Sequence, residues 1–290
     1  MNELLDDTLL RAPQEPASRD TAVPLIARRD HGAPSVFRPE NLLREARRQR
    51  NLPDAKVPDI CILDPDGDIV RALSRVGRTR RSPSWACYHT ELYEFEHADE
   101  GFGIIGCAVG ASFAVLVAEQ LYASGCRFLI SMTSAGQIVQ QASPPPYFIL
   151  IDRALRDEGT SYHYLPPAEF VAAEERLVEA AMKGAASSAQ PIYCGASWTT
   201  DAPFRETAPA IARCRARNIF AVEMEAAGLY AFSRARCKPV LCFAHVTNQM
   251  AVIEGDFEKG EADGSSASLS VITAAATAWR RLAIPDLSPG

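Results

Sequence analysis

From Pro58 onward, short apolar runs alternate with stretches whose apolar residues recur every three to four positions. Runs of four to eight apolar residues predict strands, and the longer period predicts helices. Strands are expected at Ile60–Leu63, Leu92–Glu96, Gly103–Ala108, Phe128–Thr133, Tyr147–Ile151, Ile192–Ser197, Ile219–Val222 and Val240–Val246. Helices are expected at Asp68–Ser74, Phe113–Ser124, Ala168–Lys183, Glu206–Arg217, Glu223–Arg234 and Ser266–Ala283. Strands separated by helices predict an α/β fold, a twisted mixed and largely parallel sheet flanked by helices. Closer spacing between residues 85 and 108 predicts antiparallel strands added to it. Residues 1–55, rich in Pro, Arg and acidic positions, read as an N-terminal extension. Its helical candidate, Pro39–Arg50, has few apolar positions, so it is expected to lie over the surface or on a neighbouring subunit. Residues 56–290 show no repeat or linker and read as one domain.

One stretch has membrane-like length: no charge occurs for eighteen residues between Glu100 and Glu119. Glycines divide it into a strand, a turn and a helix, so it is read as two short buried elements and not a span. Its formal GxGxxG, at Gly101, Gly103 and Gly106, lies before and within the strand. A dinucleotide fingerprint belongs between strand and helix, so the motif fails its context.

Composition narrows the classes. The chain has 290 residues, 47% hydrophobic, with a net charge of −6. That excludes disorder and argues against a dedicated nucleic-acid binder, which carries a strongly basic face. Eight scattered cysteines form no CxxC pair and no zinc-ligand spacing. With an acidic start (MNELLDDTLL) and no secretory pattern, a reduced cytoplasmic setting is expected.

In open α/β sheets ligands collect at strand carboxyl ends, where helix N-termini offer free N–H groups. Five loops qualify. Asp64–Arg71 has a glycine turn at Gly67 and a cation at Arg71, suited to an oxyanion or to a plain turn. Ser131–Gln137 offers hydroxyls at Thr133 and Ser134 beside Gly136. Arg156–Tyr164 crowds charge, hydroxyls and His163 into nine residues, although His163 also fits a structural role. Ser197–Glu206 brings Thr200, Asp201, Phe204 and Arg205 together ahead of a helix. Phe204 suits stacking on a flat ring and Arg205 a ring carbonyl, whereas Thr200 or Asp201 equally suit helix caps. Val222–Ala226 opens an apolar helix with Glu223 and Glu225. Helix-end charge explains one carboxylate, and a sugar diol would explain the other.

The run Val222-Glu-Met-Glu-Ala226 resembles the ribose-binding signature of the nucleoside phosphorylase/nucleosidase superfamily, in its uridine phosphorylase and hexameric purine nucleoside phosphorylase branch. The same order of parts supports it: Gly67, Asp68 and Arg71 match a Gly-Asp-x-x-Arg turn, and Ala108–Ser112 with Ala118-Glu119 a Gly-rich strand and helix. Thr133–Gly136 match the hydroxyl-Gly loop and Thr199–Glu206 the base loop. The resemblance covers about residues 58–280 and implies a phosphorylase-like catalytic domain, usually in dimers or trimers of dimers. It implies phosphate binding by Gly67, Arg71 and Ser134, and sugar binding by Glu223, Met224, Glu225 and Ser134. Base binding falls to Phe204 (or Pro203 in its place), Arg205, Thr200 and Asn248, with Glu225, Arg71 and Asn248 as the catalytic set.

Two departures matter. An arginine common ahead of the hydroxyl-Gly loop falls at Ser131, so one phosphate clamp is either missing or supplied elsewhere, by Arg78, Arg80, Arg81 or a neighbouring subunit. Asn248 stands where purine-specific relatives carry aspartate and cannot be a general acid, which favours a 6-oxopurine or pyrimidine over adenosine. The expected activity is phosphate-dependent cleavage of a ribonucleoside to base and ribose 1-phosphate. Inorganic phosphate is the co-substrate, with no metal or organic cofactor, no nucleic acid and no membrane. The alternatives are a hydrolytic nucleosidase on the same fold and a non-catalytic nucleoside sensor.

Overall fold

The computed structural model describes residues 23–27, 30–185, 190–249, 254–257 and 259–283, so the first 22 residues of the extension lie outside the described residues. Helix α1 (Pro39–Arg50) precedes β1 (Ile60–Asp64), α2 (Asp68–Arg75), β2 (Arg80–Arg81), β3 (Tyr93–His97), β4 (Glu100–Gly106) and α3 (Ala111–Ala123). Then follow β5 (Phe128–Gln137), β6 (Tyr147–Asp157), α4 (Ser161–Tyr164), β7 (Phe170–Ala172), α5 (Glu175–Ala185) and β8 (Ile192–Thr200). The chain continues through α6 (Ala208–Ala216), β9 (Ile219–Glu223), α7 (Ala226–Arg236), β10 (Val240–Asn248) and α8 (Ser265–Ala283).

The long strand β5 organises the sheet. Its first half pairs parallel with β1 and β10, and its last residues pair antiparallel with β9. β9 joins β8, β8 joins β6, and β6 returns to β10, so five strands close on themselves while β1, β4, β3 and β2 continue outward. The sheet is mixed, as expected. Parallel pairs (β1–β4, β1–β5, β5–β10, β6–β8, β8–β9) equal the antiparallel pairs in number among the described residues, because β6, β8 and β9 run against β10 and β5.

Strand alternation feeds two apolar layers. Ile60, Ile62, Phe128 and Ile130 face Ile272, Ala276 and Trp279 of α8. Cys61, Leu63 and Leu129 face Val115, Ala118 and Leu121 of α3 and Leu229 of α7. Complete burial of β1 on both sides explains why it reads as a continuous apolar run. Gly228 lets the starts of α3 and α7 approach closely, because a Cβ there would stand 2.8 Å from the Ala111 methyl. α1 seats Leu43 and Ala46, both fully buried, against Ala86 and Ala123. This part of the extension therefore lies on the domain's own surface.

Two helix expectations need correction. Ala168–Lys183 splits into β7 and α5, because Phe170–Ala172 pairs with β6 through Val171 and Ala154. The helix expected from Glu223 begins at Ala226, because β9 runs through Glu223 and pairs it with Thr199.

Candidate active site at the strand ends

Glu223 and Glu225 sit two residues apart in opposite situations. The Glu223 carboxylate accepts four hydrogen bonds: from Ser197 Oγ (2.9 Å), Thr199 Oγ1 (2.5 Å) and the amides of Glu225 and Ala226 (2.7 Å each). A carboxylate offers about four lone-pair sites, so Glu223 is saturated. It fastens β9 to β8 and caps α7. The sugar role expected for Glu223 is thereby corrected: its acceptor sites are all used within the protein.

Glu225 accepts two. The Gly110 amide, at the N-terminus of α3, donates to Oε1 (2.7 Å), and Thr133 Oγ1 donates to Oε2 (2.9 Å). Glu225 is thus less filled than Glu223. Glu225 is 1% exposed, and burial foremost, with the neighbouring Glu223 charge second, pushes its pKa up to about 8. The site thus joins the ends of β5 and β9 with the N-termini of α3 and α7. Met224 is half-buried between the two glutamates.

Next to Thr133, the Ser134 amide donates to Asp66 Oδ2 (3.0 Å). Asp66 precedes Gly67, where a Cβ would stand 2.6 Å from the Arg71 guanidinium and 2.8 Å from Cys107 Sγ. Arg71 donates to the Asp68 carboxylate (2.5 Å) and the Asp66 carbonyl (2.8 Å). Lys259 reaches back across the sequence to pair with Asp68. Asp64, at the end of β1, accepts the Val70 amide (3.0 Å), and burial raises its pKa to about 7. His245 lies on β10 opposite Ser134, stacked on Phe148 with ring centroids 4.6 Å apart. Burial, then the Lys259 charge, lowers its pKa to about 4.

Gly67, Arg71, Ser134, Met224 and Glu225 therefore gather around these strand ends, and Asn248 closes β10 opposite Gly136. Asn248 is 7% exposed and donates to Thr247 Oγ1 (3.2 Å). Ser131, at the position of the missing arginine, is buried in β5, and its hydroxyl has no hydrogen-bond partner among the described residues. Arg80 and Arg81 pair with Glu94 and Glu91, and Arg78 donates to the Glu96 carbonyl, which ties all three to β3 and its approach.

The base loop is bonded to the Glu223–Ala227 segment through Thr199, but its tip is exposed. Phe204 is fully exposed on a single 3-10 turn, Pro203–Arg205, and Arg205 is exposed beside it. Thr200 is buried and accepts the Ala202 amide (3.2 Å), while Asp201 accepts the Gly159 amide (2.8 Å). Neither caps α6, whose N-cap is Thr207. His163 is exposed on α4, which packs through Tyr164 against Phe232 and Arg236 in the distal part of α7. The dense charge of that loop is structural: Arg156 binds Ser161 Oγ and the Leu165 and Pro166 carbonyls, and Glu158 accepts the Ser161 amide.

Sequence reasoning passed over Asp66, Gly110, His245 and Lys259 as site residues. Asp66 stood in the quoted turn and His245 beside Asn248, but their neighbours come from distant segments.

The family model of the phosphorylase superfamily matches residues 59–282. Among solved structures, uridine phosphorylase from Vibrio fischeri ES114 in complex with 6-hydroxy-1-naphthoic acid is 17% identical, with a TM-score of 0.61, covering 81% of this chain and 93% of that one. Purine nucleoside phosphorylase from Toxoplasma gondii in complex with immucillin-H is 16% identical, with a TM-score of 0.65, covering 80% and 94%. At such identities the two structures establish the shared fold, and the family match spans most of the sequence. The chain belongs to the phosphorylase superfamily.

Proposed function

We propose that this protein cleaves the N-glycosidic bond of a nucleoside, with Glu225 holding the 2′- and 3′-hydroxyls of the sugar. The observation that carries this reading is the contrast between the glutamates. Glu223 is filled by four protein donors, whereas Glu225 accepts only the Gly110 amide and the Thr133 hydroxyl as full hydrogen bonds, which leaves it acceptor capacity for a vicinal diol. Fixing the ribose leaves the anomeric carbon to be attacked as the C–N bond lengthens and positive charge grows on the sugar. The groups gathered at the strand ends are placed to meet that developing charge. Asn248, at the end of β10, is the residue we assign to a carbonyl-bearing base, a 6-oxopurine or a pyrimidine. Phe204 and Arg205 join the base only if a second copy of the chain or a loop movement covers their exposed turn, and assembly into a homo-oligomer is part of the reading.

Phosphate is the attacking group that the family resemblance favours, with Gly67, Arg71 and Ser134 to hold it. A second reading, attack by water, is favoured by one observation: the Ser134 amide is already bound to the Asp66 carboxylate. Base release from uridine, thymidine, inosine, guanosine and adenosine, followed with and without phosphate, tests the activity and separates the two. No release from any of them contradicts the proposal.

A further inference from the structure

Residues of the extension help to build a second concave surface. Part of the segment 34–42, which precedes the family-matched span of 59–282, forms one wall of a cavity of about 730 Å³. The facing wall is α3 between Ser112 and Ala123, with Tyr164 of α4 and Arg236 at the end of α7 beside it. Small-molecule sites have volumes of ~300–1,000 Å³, and this one falls among them. Glu225 stands at the starts of α3 and α7 and does not line it. Two large apolar side chains on its walls are left in water, Phe37 at 72% exposure and Leu116 at 41%. The charges around them do not cancel. Glu119 is used within the protein, since its Oε1 accepts Tyr164 Oη (3.0 Å) and Arg236 Nε (3.1 Å). Glu40 lies in the first turn of α1, where the helix end offsets its charge. Arg38 donates to the Ser35 carbonyl (3.3 Å), and Lys238 lies over the Tyr122 ring, 5.5 Å from its centroid. Neither cation pairs with a carboxylate among the described residues.

We propose that this cavity is a second ligand site, for a flat ring bearing one anionic group, a carboxylate or a phosphate. The ring covers Phe37 and Leu116, which removes their apolar surface from water. The anionic group meets Arg38 and Lys238, where charge-assisted hydrogen bonds replace contacts with a carbonyl and a ring face. Because Phe37 and Arg38 belong to the extension, the site depends on residues outside the family-matched span. It is independent of the sugar site, whose carboxylate is Glu225.

The test is isothermal titration calorimetry on the full chain with two probes, 1-naphthoate and uridine 5′-monophosphate. Wild type is compared with the double variant Arg38→Glu, Lys238→Glu, at two exposed positions that leave the core untouched, and with Glu225→Gln. At least one probe is expected to bind wild type with a Kd of ~100 μM or tighter. Whichever binds identifies the anion as carboxylate or phosphate. The charge reversal is expected to weaken that binding at least ~10-fold, the loss of about one charge-assisted hydrogen bond. Glu225→Gln is expected to leave it unchanged. Absence of binding by both probes overturns the proposal. Binding undiminished by the charge reversal overturns it equally, and so does binding lost in Glu225→Gln, which would put the probe at the sugar site.

Discussion

The Glu225 carboxylate accepts the amide of Gly110, 115 residues earlier in the chain, at 2.7 Å. That bond ties the N-terminus of α3 to the residue at which α7 begins, and makes one carboxylate both a structural tie and the proposed sugar ligand. Truncating Glu225 to Ala therefore leaves the buried Gly110 amide unpaired, at a cost of about 1–3 kcal/mol, while the Thr133 hydroxyl keeps the Ser134 carbonyl (3.2 Å). The cleaner substitution is Glu225→Gln, which keeps an acceptor and the side-chain volume. We expect Glu225→Gln to fold with a thermal midpoint close to wild type and to lose at least ~100-fold in kcat/KM. Circular dichroism melts alongside nucleoside turnover check both halves.

Glu223 behaves in the opposite way. Its four donors make it a cap and a strand tie. Glu223→Ala should destabilise the protein by about 2–4 kcal/mol, since two amides and two hydroxyls lose their partner in the interior. Urea titration gives the value. A loss under about 0.5 kcal/mol, the size of an ordinary surface change, contradicts the assigned role.

Stability should fall between pH 6.5 and pH 8.5. Burial raises the pKa of Glu225 to about 8 and of Asp64 to about 7, against ordinary values of 4.5 and 3.8. The folded chain then holds protons that the unfolded chain has released. The stabilisation is complete below the ordinary values and is lost as pH rises through the raised ones, by at most ~1.4 kcal/mol per pH unit per group. His245 has the reverse sign: its contribution is present above 6.5 and lost as pH falls through about 4. Calorimetric midpoints at the two pH values should drop in wild type and drop less in Glu225→Gln. Equal slopes in the two proteins would remove Glu225 from the account.

Gly264 offers a test of the segment that brings Lys259 to Asp68. A Cβ there would stand 2.2 Å from His245 Cε1 and 2.7 Å from the Lys259 carbonyl, at a backbone φ of +74°. Gly77 has a similar φ of +69° with nothing within 4 Å. Gly264→Ala should cost more than Gly77→Ala, whose penalty is the ~1 kcal/mol of left-handed strain alone. Similar denaturation midpoints for both variants would show that the segment is not packed on His245.

The central strands were legible in the sequence because runs such as β1 and β10 are buried on both faces. The sense of pairing was not, since β5 changes partners along its length, from β1 to β9, and local pattern carries no trace of that turn. Phe170–Ala172 escaped notice because three residues make too short a run to show a period of two. Among the site residues, Glu225 and Arg71 were visible from spacing. Spacing alone left Glu223 and Glu225 equivalent and only the family resemblance singled out Glu225; Ser197 and Thr199, on a neighbouring strand, decide which carboxylate is filled. Asp66 read as a turn residue, and Lys259, 191 positions from Asp68, gave no local signal at all.

The central claim is that Glu225 grips the sugar diol. Base release from a ribonucleoside and from its 2′,3′-dideoxy counterpart, each with wild type and Glu225→Gln, tests it most directly. Rapid cleavage is expected only for wild type with the ribonucleoside, and comparably slow reactions in the other three combinations. Equal cleavage of the dideoxy compound by wild type, or full activity of Glu225→Gln on the ribonucleoside, would contradict it.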